Sequence, residues 1–157
     1  MTEIRRATFS PCRIYRYTLE ISWEAGDKVQ FIGLNPSTAD EVRDDQTIRR
    51  CKRFAKDWGY AGIVMTNLFA FRATNPRHMM MTPDPIGPGN DNAIMSVARE
   101  SALTVACWGT RGSHRFRDAA VMALLGDQKM SCLGTTDRGH PRHPLYLPVH
   151  TELVSFP

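Results

Sequence analysis

The stretch VQFIGLNPST, residues 29–38, decides the fold. Val29 to Leu34 form a short apolar strand that stops abruptly in a Gly-Leu-Asn-Pro turn. In an open α/β sheet, ligands bind just beyond the carboxyl ends of the strands. Gly33 permits close backbone approach there. Pro36 fixes the turn and biases Asn35 toward an extended conformation. Asn35 is therefore either a polar side chain held at the mouth of a site or an ordinary turn residue, because Asn and Pro are both common in turns.

Working outward, residues 13–23, RIYRYTLEISW, alternate and are rich in β-formers, which predicts a strand that is an edge or the hairpin partner of the next. Asp45 to about Trp58 reads as a helix. Ile48, Cys51, Phe54, Ala55 and Trp58 recur at helical spacing, with Asp44 or Asp45 as the cap and Gly59 as the end. The Asp-Asp pair is read as capping rather than as a metal site, since no further ligands converge on it. Residues 62–67, GIVMTN, form a buried strand ending in Asn67. Met79 to Pro88 is read as irregular, and the loop from Asn75 to Gly89 has a lid's length and composition. Asn90 or Asp91 caps a helix running to about Ser101. Residues 103–108, LTVACW, form a third buried strand, and a helix runs from about Arg115 to Leu125. Met130 to Leu133 form a fourth strand. Strands alternate with helices, which predicts one α/β domain over residues 1–157, a three-layer α/β/α sandwich with a mostly parallel four-stranded sheet. The strand ends then bring Asn35, Asn67, Trp108-Gly109 and His140 to one edge, and convergence of this kind marks a site.

The bulk properties are those of an ordinary globular domain. The chain has 157 residues, 42% hydrophobic and 23% charged, enough to bury a sizeable core. No stretch is long enough to span a membrane, and the N-terminus lacks a signal peptide's apolar core, so a cytoplasmic protein with no membrane association is expected. A net charge of +4 favours a polyanionic partner. Basic residues cluster in three segments: Arg43 to Lys56, Arg111 to Arg117, and Arg138 to His143. The four cysteines form no CxxC pair, so a zinc ribbon is not expected. Four cysteines suffice in principle for an iron–sulfur site but lack any recognisable local spacing for one, and neither a metal nor a cofactor is expected. Cys107 and Cys132 lie in apolar strands and read as core residues.

Four segments in order resemble the uracil-DNA glycosylase superfamily: GLNPS at 33–37, VMTNLFAFRAT at 64–74, VACWG at 105–109 and GHPRHPLY at 139–146. The chain is also similar, over most of its length, to a bacterial and phage group of small uncharacterised proteins with the pattern LNPSTA, DDxTxRR, NLFAxRAT, PxGxxND, WG and GxPRHPLY. The superfamily resemblance implies a uracil-DNA glycosylase-like fold and hydrolysis of the N-glycosidic bond of a damaged or modified base flipped from DNA. Such an enzyme must flip the base, stabilise the departing base anion and hold a water at the sugar face.

The same resemblance implies the site roles. Asn35 orients the water, and His140 donates to the departing base or binds phosphate. Asn67, with donor and acceptor on one amide, reads a base edge or caps a turn. Gly33, Leu34, Pro36, Ser37 and Trp108 line the substrate. Phe69 or Phe71 stacks on the flipped base, or belongs to the core. Arg72 pairs with Asp44 or Asp45 and supports the site. Arg111, Arg142 and His143 contact DNA phosphates, while Leu145 or Tyr146 fills the vacated stack. Uracil enzymes of the superfamily carry an aromatic near the first motif, where this chain has Ser37 and Thr38. That departure implies a wider pocket, suited to a bulky modified pyrimidine such as occurs in phage DNA. Two other readings share these residues: an enzyme acting on a free nucleotide or nucleoside, and a non-catalytic module that binds modified DNA.

Overall fold

The computed structural model describes residues 2–157 and shows an α/β fold built on a seven-stranded mixed sheet with four helices. The strands are β1 (Ile4–Phe9), β2 (Arg16–Ser22), β3 (Lys28–Gly33), β4 (Gly62–Asn67), β5 (Leu103–Ala106), β6 (Met130–Cys132) and β7 (Val154–Phe156). The helices are α1 (Gln46–Asp57), α2 (Pro76–Met81), α3 (Asn90–Glu100) and α4 (Arg117–Leu125). The sheet order is β1-β2-β4-β3-β5-β6-β7. Its centre, β4-β3-β5-β6, is parallel. Those are the four strands read from sequence as the parallel core.

The sheet differs from the four-stranded expectation in its flanks. The strand at residues 13–23 pairs antiparallel with β4, not with its sequence neighbour β3, and β1 covers its other side. β7 adds antiparallel to β6. These flanking strands carry weak signals. β1 alternates between exposed and half-buried positions, and β7 has three residues, neither of which reads as a core strand.

The two sheet faces carry separate cores. Val29 and Phe31 of β3, Ile63 and Met65 of β4, and Val105 of β5 pack with Ile48, Cys51, Phe54 and Ala55 of α1. Ile32 and Ala106 point the other way and pack with Met79, Ile94, Ala98, Val121 and Leu125 of α2, α3 and α4. Fully burying a side chain of the size of Phe54 or Ile48 stabilises the fold by roughly 1.5–3 kcal/mol. On the second face Gln30 is buried and fully engaged: its amide donates to Thr66 Oγ1 and Ile94 O, both at 3.1 Å, and accepts from Thr104 Oγ1 at 2.9 Å. This network ties β3, β4, β5 and α3 together.

Two local readings are corrected. The Met-rich segment begins as a helix: Asn75 caps α2 by accepting from Arg77 N at 3.0 Å, Pro76 occupies the first turn, and Met79 is buried. The segment after it is tied down, with Ala70 N donating to Ile86 O, Phe71 N to Pro85 O and Tyr15 Oη to Asp84 O. The cap of α3 is Gly89, not Asn90 or Asp91. The Asn90 side chain instead donates to Asn67 O at 2.9 Å and Leu68 O at 3.0 Å.

Among the described residues no helix is long and apolar enough to cross a membrane, and no group of three or more His, Cys, Asp or Glu is placed to hold a metal ion. Cys51, Cys107 and Cys132 are buried free thiols and Cys12 is exposed.

Candidate functional site

A cleft of about 570 Å³ opens at the carboxyl ends of the parallel strands, on the face that α1 covers. Its volume falls within the range of small-molecule sites. Gly33 and Asn67 end β3 and β4 on this face and Cys107 follows directly on β5, in step with Val29, Phe31, Met65 and Val105 inside the core. The first turn of α1 forms the opposite wall, through Asp45, Gln46 and Thr47.

The Asn-Pro turn presents its amide with one orientation fixed. Asn35 Nδ2 donates to Ala73 O at 2.8 Å and to Pro36 O at 3.1 Å. Both donor positions of the amide are therefore used within the protein, and Oδ1 remains as an acceptor.

Asn67 lies in the floor and is only 4% exposed. Among the described residues its Nδ2 has no hydrogen-bond partner. Leaving a buried polar donor unpaired costs about 1–3 kcal/mol. Its Oδ1 sits against Gly33, where an added Cβ would stand 2.8 Å away. The backbone behind it is braced from the second face: Asn90 holds Asn67 O, and Arg117, itself buried and paired with Asp91 at 2.7 Å, donates to Leu68 O at 2.8 Å.

The last motif contributes His143, Leu145 and Tyr146 to the cleft. Gly109 N donates to Pro141 O at 2.9 Å and Arg50 Nε to Pro144 O at 3.3 Å, which draws residues 141–146 over the strand ends and α1. His143 Nδ1 accepts from Leu145 N at 3.2 Å, so the neutral ring carries its proton on Nε2. Burial lowers its pKa below the usual 6.5, against a weaker opposite influence from Asp45. His143 is thus a neutral donor at neutral pH. Tyr146 stands at the rim, 87% exposed.

Arg16, at the start of β2, also lines the cleft and was not legible as a site residue. Alternation from Leu19 and Ile21 would turn residue 16 to the outer face. The pairing, however, runs Thr8↔Thr18 and then Phe9↔Arg16, so Tyr17 is an extra residue in the ladder. A bulge of this kind re-aims the neighbouring side chain. Arg16 accordingly turns inward with Leu19 and is 2% exposed.

The sequence-derived site residues divide clearly. Gly33, Leu34, Asn35, Pro36, Ser37, Asn67, Trp108, Arg111, His143, Leu145 and Tyr146 all line the cleft. His140 does not: its backbone closes a turn with Thr136. Arg142 donates to Thr135 O outside the cleft. Phe69 is fully buried in the second-face core beside His114. Phe71 stacks edge-on with Tyr15 and lines a separate shallow groove together with Arg72. The Trp108 ring belongs to the second face, against Phe156 and Gly112, so its contribution to the cleft is not its indole face.

Two expected pairings change. Arg72 reaches neither acid; it lies over Phe9 and donates weakly to Arg13 O. Asp45 alone caps α1, accepting from Ile48 N at 2.9 Å. Asp44 pairs with Arg5 at 2.7 Å and Lys52 at 2.9 Å. Several basic side chains are likewise engaged by other groups of the protein. Lys52, Arg53 and Arg117 sit in ion pairs, and Arg115 donates to the carbonyls of Pro83 and Thr82. Cys107 is not a nucleophile: burial pushes its thiol up to about 12, and Sγ donates to Ile32 O.

A family model described as "Protein of unknown function (DUF1643)" matches residues 16–145, from the start of β2 into the last motif. No curated protein and no solved structure matches the chain.

Proposed function

The chain belongs to the DUF1643 family, whose description assigns no activity, and we propose that it hydrolyses the N-glycosidic bond of a damaged or modified base flipped out of DNA into the cleft. The observation that carries this reading is Asn67, a nearly fully buried amide whose Nδ2 lacks a partner at the cleft floor. A base edge that accepts from Nδ2 and donates to Oδ1 relieves that cost.

The other groups suit the remaining steps. Asn35 Oδ1 holds the attacking water, since both its Nδ2 hydrogens are engaged. As the C1′–N bond breaks, its electron pair leaves with the base, and His143 Nε2–H, rather than His140, donates to the developing anion. Asp45, the one carboxylate among the described residues that line the cleft, accepts the proton that the water loses on joining C1′. Arg111 and the exposed ring of Tyr146 at the rim suit DNA, as a phosphate contact and a filler of the vacated stack.

The test is base release from DNAs containing uracil, mismatches and phage-type modified bases, read as alkali-labile abasic sites. Strand breakage at one substrate, lost in Asn35→Ala, is the expected outcome. A blank panel with tight, salt-sensitive DNA binding would instead mark a reader of modified DNA. A blank panel without DNA binding, but with thermal stabilisation by nucleotides, would mark a nucleotide enzyme.

A further inference from the structure

Arg16 holds a charge that the protein itself leaves unanswered. The residue is 2% exposed, and Nη1 donates to Ala39 O at 2.7 Å. Nε is buried with no partner, and among the described residues no carboxylate lies within ion-pair distance. Taking an ion out of water costs several kcal/mol even after relaxation, unless an opposite charge is close. Burial lowers the Arg16 pKa to about 10, with Asp45 and Asp40 working to raise it and Arg72 to lower it. The group therefore stays charged at neutral pH.

The surroundings favour an anion. With Nη1 taken, the Nε–Nη2 edge remains, and that edge receives two oxygens of one anion side-on. The first turn of α1 lines the same cleft. N–H groups in a helix's first turn have no intrahelical acceptor and carry the positive end of the helix dipole. Of these, Ile48 N is already taken by Asp45, which leaves Gln46 and Thr47. The opposing charge is Asp45, set against Arg16 and Arg111 among the lining residues.

We propose that Arg16 and the first turn of α1 form a phosphate subsite, which takes the phosphate of the nucleotide whose base occupies the cleft. The same chemistry serves a free mononucleotide and a nucleotide flipped from DNA. It stands apart from base release, since a protein that cleaves nothing can still hold this phosphate.

The experiment is titration calorimetry on the full chain with inorganic phosphate, deoxyuridine monophosphate, deoxyuridine and a short single-stranded oligonucleotide. We expect the mononucleotide to bind at least tenfold more tightly than the nucleoside, and Arg16→Gln to remove that difference while leaving nucleoside affinity unchanged. Arg16→Lys, which keeps charge without the fork, gives an intermediate affinity and serves if the Gln variant does not fold. Binding of phosphate and mononucleotide alone identifies a free nucleotide as the source. Equal loss for the oligonucleotide in Arg16→Gln extends the subsite to DNA. Three outcomes overturn the proposal: equal affinity for nucleotide and nucleoside, no binding of any phosphate-bearing probe, or phosphate affinity unchanged in an Arg16→Gln protein that melts at lower temperature. The last would mark a purely structural arginine. Base release that survives in Arg16→Gln alongside any of these three outcomes leaves the proposed reaction standing while the subsite falls.

Discussion

Asn67 and Gly33 are coupled at the resolution of single atoms. A Cβ on residue 33 would stand 2.8 Å from Asn67 Oδ1, and the displaced atom is the end of a side chain rather than backbone. Gly33→Ala should therefore fold with a stability loss below about 1.5 kcal/mol while pushing the amide out of position. The expected result is a near-native melting temperature with base release or ligand binding reduced at least tenfold. A large loss of stability with normal binding would show that the contact is only packing. His143 gives a second prediction. Its folded pKa is lowered by burial, so the native state binds fewer protons than the unfolded chain as pH falls below 6.5. Stability tied to this residue is fully present above pH 6.5 and declines on acidification through the folded pKa. NMR titration should find its midpoint below 6.5, and His143→Gln should flatten the loss of stability in that window.

At the level of elements, α1 serves both the core and the cleft. Its buried stripe, Ile48, Cys51, Phe54 and Ala55, follows from 3.6-residue spacing and was readable directly. Asp45 belongs to the same helix as cap and to the cleft as a charge, and two variants separate these roles. Asp45→Asn keeps a cap-competent side chain and should cost little stability. Asp45→Ala should cost about 1 kcal/mol. Thermal denaturation reads the capping difference. If the carboxylate works in the cleft, both variants lose base release alike despite their unequal stability. β2 shows where pattern reading stops. Its strand was legible from its β-formers, but the bulge at Tyr17 was not, because a two-against-one pairing depends on the partner strand β1. With strict alternation Arg16 lies outside; with the bulge it lines the cleft. α2 is silent in the pattern for another reason: a six-residue helix has too few turns to show a period.

Across the whole molecule, Glu3, Arg5, Asp44 and Lys52 fasten the first strand to the start of α1 through ion pairs of 2.6–3.6 Å. Burial works to raise the Asp44 pKa, but hydrogen bonds and charge from Lys52 and Arg5 outweigh it, and the net direction is below 3.8. The stability this confers is complete above pH 3.8 and is lost as pH falls through the folded value. Asp44→Asn should lower neutral-pH stability by about 1–2 kcal/mol and shrink the acid-induced loss, with a smaller effect at high salt. Chemical denaturation at pH 7 and pH 3 checks both signs. The sequence by itself determined the alternation of strands and helices, the parallel centre and the identity of the strand-end residues Asn35 and Asn67. Each of these follows from local periodicity and turn chemistry within one segment. Tertiary structure decided the flanking strands, the inward turn of Arg16, the presence of His143 rather than His140 in the cleft, and the burial of Phe69 away from it. Those outcomes depend on which segments meet: the pairing of β1 with β2, and the docking of residues 141–146 on Gly109 and α1. Pairing between separate segments, whether β1 with β2 or residues 141–146 with Gly109 and Arg50, leaves no period in the chain, so only the folded molecule could assign it.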